Sequence, residues 1–162
     1  MEERFEILSR MVFGVHGDVQ RLKVQIAAEL GVKSAHVFLI YLLRTDPEGL
    51  TAAELCEMNR STSGLISRET AELLEQGVIK RDRESDRRRY GCKYLLTQKG
   101  WEMARRISDF AMQVQNFVSA DIPFEELVSF YRTFGTLLEN FDRFTGKERS
   151  VRITGDDYKG ER

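Results

Sequence analysis

A mainly α-helical chain with a small β-hairpin, an α+β fold, is what this sequence predicts, and three observations predict it. Apolar residues recur at alternating spacings of three and four at both ends of the chain, the stripe of an amphipathic helix. The middle holds two short segments, each preceded by a threonine placed to cap a helix. After Gly77 the pattern changes to two short runs rich in branched and aromatic residues, which read as strands. Only two prolines stand in 162 residues, so long helices are permitted.

The first stripe is Phe5, Leu8, Val12, Val15, Val19, Leu22 and Ile26, at nearly heptad spacing. Gly14 and Gly17 fall inside it, and each costs about 1 kcal/mol against alanine in a helix interior, so a kink or break is expected near "FGVHGD". Gly31 closes the segment. A second helix is expected from Ser34, a good N-cap residue, through Val37, Leu39, Ile40 and Leu43 to the turn "DPEG". Thr51 and Glu54 have the spacing of a capping box for a short third helix carrying Leu55, Cys56 and Met58. Thr62 can cap a fourth with Ile66, Thr70, Leu73 and Leu74 on its inner side, and Gly77 stops it. "VIKRDR" and "YGCKYLL" are the strands, with "ESDRR" as their polar tip. Thr97 can cap the next helix, which repeats the three–four beat at Ala104, Ile107, Ala111, Val114 and Val118. The last helix, after Pro123, carries Leu127, Tyr131, Phe134, Leu138 and Phe141, with Phe130, Leu137 and Phe144 as a second row. Two rows call for more than one neighbour, and a partner subunit supplies the second. The tail after Thr145 is polar and dotted with glycine.

Composition narrows the function. Hydrophobic residues make up 41% and charged residues 31%, a globular balance, and the net charge is −1. The charge is unevenly placed. From Lys80 to Lys93 there are seven basic residues (80, 81, 83, 87, 88, 89, 93) against three acidic ones (82, 84, 86). Most such runs are solvated loops. Here the preceding helix pair and the flanking strands favour contact with nucleic acid. Cys56 and Cys92 form no disulfide framework and no metal spacing, and the start "MEERFEILSR" is charged and helical, unlike a signal peptide; a cytoplasmic protein with no membrane partner is expected. Cys56, on the buried side of a short helix, reads as inert packing, and Cys92, on a wing strand beside basic residues, is the one placed for a lowered pKa and redox chemistry. His16 and His36 stand on separate helices and read as satisfied structural or surface histidines. Trp101 and the phenylalanines read as core or dimer packing. No nucleophile–base motif, metal set or phosphate loop is found, so no enzyme, cofactor or metal is expected.

The order helix–turn–helix, arginine-tipped hairpin, long apolar helices resembles the MarR family of bacterial winged helix-turn-helix regulators. The residues that carry the resemblance are "LTAAELCEM", "ISRETAELLEQGVIKR", "SDRR" and "LTQKG", over roughly residues 30–141. The resemblance implies an N-terminal dimerisation helix at 1–33, a winged helix-turn-helix DNA-binding domain at 34–98, C-terminal dimerisation helices at 99–145 and a polar tail at 146–162. It implies a homodimeric regulator of transcription, a repressor released by a small-molecule effector, reading a near-palindromic operator in double-stranded DNA. The recognition helix then offers Thr62, Ser63, Gly64 and Ser67, short enough for close approach to the major groove, and Arg68 as a long donor. In the wing, Asp86 braces the tip and Arg88 enters the minor groove, with Arg83, Arg87 and Arg89 on phosphates. The dimer interface falls on Leu127, Tyr131, Phe134, Leu138, Phe141, Val12 and Val15. An effector in relatives commonly sits between the dimer helices and the DNA-binding lobe, and Gly14–Gly17 is the wall this sequence suggests. Three positions depart from the family pattern. Asn59 and Arg60 stand where an apolar residue and a glycine are common, and Glu69 stands where relatives are often apolar. The alternative reading is a winged-helix protein–protein interaction module without specific DNA binding.

Overall fold

A computed structural model gives the chain's structure and describes residues 2–82 and 91–146. The elements run α1 (Glu2–Leu30), α2 (Ser34–Thr45), β1 (Leu50–Thr51), α3 (Ala52–Met58), α4 (Ser63–Glu75), β2 (Ile79–Arg81), β3 (Lys93–Leu96), α5 (Gln98–Val118) and α6 (Phe124–Phe144). The mainly helical class with a hairpin wing is as expected. Among the described residues the sheet is three-stranded and antiparallel in the order β1–β3–β2. The hairpin register pairs Ile79 with Leu96 and Arg81 with Tyr94. Strand β1 has no counterpart in the sequence reading, since two residues, Leu50 and Thr51, carry no period of their own; they are recruited by Tyr94 and Lys93. The chain divides into two compact units, Met1–Phe110 and Ala111–Arg162. No described helix is by itself long and apolar enough to cross a membrane.

In the first unit the core is built around α2. Leu39, Ile40 and Leu43 are fully buried, and Leu55 of α3, Ile66 and Leu73 of α4, Val78 and Ile79 at the wing root, and Met103, Ala104 and Ile107 of α5 complete it. Each such aliphatic side chain contributes about 1.5–3 kcal/mol on burial. Only the end of α1 joins this core, through Ile26 and Ala27. Much of the rest of its apolar side, including Phe5, Met11, Val12, Phe13 and Val15, is exposed, Phe13 to 75%, while Leu8 and Leu22 are half-buried.

Helix ends follow local chemistry. Gly31, at φ 68°, closes α1 with the bonds Val32 N–H to Ala27 C=O and Gly31 N–H to Ala28 C=O, the paired closure of a Schellman motif. That tight exit leads directly into α2, which starts at Ser34 as expected but with its cap one residue earlier. Lys33 occupies the N-cap with no side-chain cap, and Ser34 is the first helical residue. The expected break at Gly14 and Gly17 does not occur, because α1 is continuous through both. A glycine weakens a helix without interrupting its i→i−4 bonds, and 29 residues of helix absorb two. The turn before β1 is an Asp46 turn: its side chain accepts from Glu48 N–H at 2.9 Å and its carbonyl from Gly49 N–H at 3.0 Å. Gly49, at φ 81°, must be glycine, since a Cβ there would lie 2.7 Å from the Tyr94 carbonyl oxygen. Thr51 and Glu54 form the expected capping box of α3, with Thr51 N–H donating to Glu54 Oε2 at 2.7 Å and Glu54 N–H to Thr51 Oγ1 at 3.3 Å.

In the second unit α6 carries an aromatic ladder. The Phe130 ring stacks on Phe134 at 5.7 Å and meets Tyr131 edge-on at 5.5 Å. Leu127, Tyr131, Phe134, Leu137 and Leu138 are half-buried, while Phe130, Phe141 and Phe144 are exposed, Phe144 to 90%. Met112, Phe117 and Val118 at the end of α5 are exposed as well.

Candidate nucleic-acid interface

The α3–α4 corner is built from residues that no apolar periodicity marks. The Asn59 N–H reaches back to the carbonyls of Leu55 and Glu57, and Arg60 then turns through φ 49°. Arg60 therefore holds the left-handed geometry for which glycine is the usual residue. Ser61 N–H bonds to Cys56 C=O at 3.1 Å, and Asn59 Nδ2 donates to Ser61 Oγ at 3.2 Å. Thr62 caps α4 as expected, its hydroxyl accepting from Leu65 N–H at 3.4 Å. Ile66, Glu69, Thr70 and Leu73 face inward. Thr62, Ser63, Gly64, Ser67 and Arg68 are all exposed on the other side. The first-turn N–H groups of such a helix have no partner within it and favour an anion.

The wing root is held by "LTQKG". The Thr97 hydroxyl shares its hydrogen between the carbonyls of Gly77 at 2.8 Å and Val78 at 3.0 Å, and accepts from Gly100 N–H at 3.2 Å. Thr97 N–H bonds to Val78 C=O at 3.0 Å, and Lys99 Nζ donates to Gln76 C=O at 2.9 Å. Gly100 is buried against the same strand, so close that a Cβ would stand 2.2 Å from the Val78 oxygen. These contacts tie the end of α4, the start of the wing and the start of α5 into one joint. Lys80 and Arg81 on β2 are exposed. The wing-tip residues Arg83, Asp86, Arg87, Arg88 and Arg89 lie outside the described residues.

Beneath the exposed face of α4 lies a group of charges that sequence reasoning missed. The Arg68 guanidinium forks onto Glu69 Oε1, from Nε at 3.0 Å and Nη2 at 2.8 Å, and this bond raises its pKa. Lys33 Nζ lies 2.6 Å from both oxygens of Glu72, and its hydrogen bond holds that carboxyl below the usual range. Between them, His36 of α2 is fully buried, with Nε2 2.9 Å from Glu69 Oε2 and 3.3 Å from Glu72 Oε2. Despite these distances neither His36 nitrogen nor Glu69 Oε2 has a hydrogen-bond partner among the described residues. His36 is thus neither satisfied nor on the surface, contrary to the expectation. The available signal was Glu69, a carboxylate inside the apolar stripe Ile66–Thr70–Leu73.

His16 is exposed, and Cys56 and Cys92 are half-buried free thiols. Trp101 is 41% exposed rather than core, and with Arg44, Gln98, Glu102 and Arg105 it lines an open cleft of about 380 Å³. Gly14 and Gly17 face open space, since a Cβ added to either would meet nothing within 4 Å.

Residues 26–89 match a family model described as the MarR family. No curated protein sequence matches the chain. Among solved structures, a MarR-family transcriptional regulator from Silicibacter pomeroyi is similar at TM-score 0.70 and 18% identity, covering 80% of this chain and 86% of that one. A MarR transcriptional regulator from Methanosarcina mazei Go1 is similar at TM-score 0.73 and 15% identity, covering 86% and 99%. CouR from Rhodococcus jostii RHA1, bound to p-coumaroyl-CoA, is similar at TM-score 0.71 and 17% identity, covering 80% and 90%. At these identities the likeness is one of fold.

Proposed function

We propose that the chain, whose residues 26–89 match the MarR family model, is a member of that family and a homodimeric, sequence-specific DNA-binding regulator of transcription. The observation that carries this reading is the segregation of α4. Its inner side is locked into the core, while Thr62, Ser63, Gly64, Ser67 and Arg68 share the exposed side, next to a wing root that leads into the basic segment. A helix presenting short residues fits a major groove about 12 Å wide, and Arg68 reaches phosphate or guanine. Arg88, braced by Asp86, enters the minor groove, with Arg83, Arg87 and Arg89 on the backbone.

The exposed apolar residues outside the winged helix support dimerisation. Val12 and Val15 of α1, with Leu127, Tyr131, Phe134, Leu138 and Phe141 of α6, form the contact. A single chain leaves Phe13, Phe117 and Phe144 between 75% and 90% exposed, which a soluble monomer seldom tolerates in groups. A two-fold dimer reads a near-palindrome with half-site centres about 34 Å apart. A small-molecule effector releases the repressor by binding its non-operator geometry more tightly. The open cleft at Trp101, lined also by Arg44, Arg105 and Glu102, is the effector site we assign, for a ligand with a flat apolar part.

Recovery of fragments from sheared genomic DNA by the purified protein, followed by sequencing, tests the proposal. A recurrent near-palindrome is the expected result, with log affinity falling against log salt by about 0.9 per phosphate contacted. Recovery without a shared motif overturns sequence specificity. No recovery favours the protein-binding alternative.

A further inference from the structure

We propose that His36, Glu69 and Glu72 form a binding site for one first-row divalent transition-metal ion, which joins α2 to the recognition helix α4. Nε2 of His36 and one carboxylate oxygen from each glutamate lie within 4.8 Å of one another. A cluster of carboxylates alone would not make a site. Here the second observation is a fully buried imidazole aimed into the cluster, with Nε2 unpartnered, together with the buried and unpartnered Glu69 Oε2. Leaving such atoms unsatisfied in a core is costly, and a cation satisfies both.

The spacing also fits a shared ion. With metal–ligand bonds of about 2.1 Å, two ligand atoms on one ion stand about 3.0 Å apart in octahedral and about 3.4 Å apart in tetrahedral geometry. The two observed separations from Nε2 are 2.9 Å and 3.3 Å. In that arrangement the ring lone pair points at the ion, about 35–45° away from either oxygen, so close approach and a failed hydrogen bond go together. One imidazole and two carboxylates suit zinc, cobalt, manganese or iron in the divalent state, and suit calcium or monovalent copper poorly.

The surroundings are arranged to accept a cation. Arg68 occupies Oε1 of Glu69 and leaves Oε2 turned inward to the cluster. On the solvent side Lys33, 60% exposed, is the cation that Glu72 holds, and its flexible stem lets it swing away when an ion enters. The consequence reaches the exposed face of α4. An ion on Oε2 draws charge from Glu69 and loosens its grip on Arg68, whose guanidinium is then free for DNA. Metal binding therefore strengthens DNA binding, a regulatory half that rests on the function proposed above.

The test uses the full-length protein, freed of metal with a chelator and then titrated with Co²⁺ while its visible ligand-field absorption is followed, with Zn²⁺ as competitor. One Co²⁺ per chain, displaced by Zn²⁺, is expected. His36→Gln and Glu72→Gln are each expected to weaken Co²⁺ at least about tenfold, the least that loss even of an outer contact costs. Glu72 lies at the rim, so E72Q keeps the site testable where a change at buried His36 prevents folding. Absence of ligand-field absorption, or absorption that both variants retain unchanged, overturns the site. For the regulatory half, Zn²⁺ is expected to raise affinity for the recovered duplex at least about fivefold in the wild type and not in E72Q. An affinity that Zn²⁺ leaves unchanged, with Co²⁺ binding intact, overturns that half. Intact Co²⁺ binding in a protein that binds no duplex supports the site and sinks the proposed function instead.

Discussion

Gly100→Ala is the substitution whose outcome the structure decides most sharply. In most helices the change is favourable, because alanine has the better propensity and restricts the unfolded chain, together worth about 0.5–1 kcal/mol. At position 100 the added Cβ would stand 2.2 Å from the Val78 carbonyl oxygen and 3.0 Å from Leu96 Cδ2. The first turn of α5 must retreat by roughly 1 Å to restore ordinary contact. That carbonyl also receives Thr97 N–H and the Thr97 hydroxyl, both at 3.0 Å, so the retreat stretches the joint at the wing root. Overpacking costs about 1–3 kcal/mol and the weakened hydrogen bonds about 1 kcal/mol each, which leaves a net loss of about 2–4 kcal/mol. Gly64→Ala is the control, since nothing lies within 4 Å of its Cβ position and the expected change is a gain of about 0.5 kcal/mol. Urea unfolding of both variants at one fixed protein concentration separates the two signs. A Gly100→Ala protein as stable as the wild type would show that the close packing of α5 on the wing root is wrong.

Three other outcomes are expected. Thr51→Ala removes the capping box of α3 and costs about 1 kcal/mol near neutral pH by chemical denaturation. The Glu54 carboxyl is held below its ordinary value of 4.5 first by the Thr51 backbone N–H, which T51A keeps, and in smaller part by the Thr51 hydroxyl, which T51A loses; that stability is present above 4.5 and lost as pH falls through the folded pKa, so the hydroxyl's part of the wild-type advantage over T51A shrinks in acid. Arg88→Ala is expected to weaken operator binding at least about tenfold in a fluorescence anisotropy titration and to leave the dimer intact; unchanged affinity removes the wing from the interface. Leu138→Glu places a charge in the proposed α6 contact and is expected to yield monomer or unfolded chain in sedimentation, whereas a stable dimer would move the interface elsewhere.

What could be read from the sequence was local. Thr51 with Glu54, Thr62 before α4 and Thr97 before α5 each act within three residues, so spacing alone identifies them as caps. The hairpin strands were legible from their branched and aromatic residues after Gly77. The exposed side of α4 was legible because helical period separates Ser63 and Ser67 from Ile66 and Thr70. Non-local features were not. β1 exists only because Tyr94 pairs with a residue far earlier in the chain, Leu50. Lys33, rather than Ser34, became the α2 N-cap because the exit from α1 at Gly31 sets where the next helix begins. The cluster of His36 with Glu69 and Glu72 spans two helices, and nothing within either helix signals the other half.

The triple use of the Thr97 hydroxyl has a consequence for how the molecule opens. Gly77, Val78 and Gly100 all meet at that one side chain, so the root of the wing cannot loosen while the ends of α4 and α5 stay closed. The amides of Val78, Thr97 and Gly100 then belong to one cooperative unit in hydrogen exchange, with a common opening free energy and a common response to denaturant. A joint built this way holds α4 and the root of the wing as a single stiff body, so under the proposed function the two would meet a duplex together.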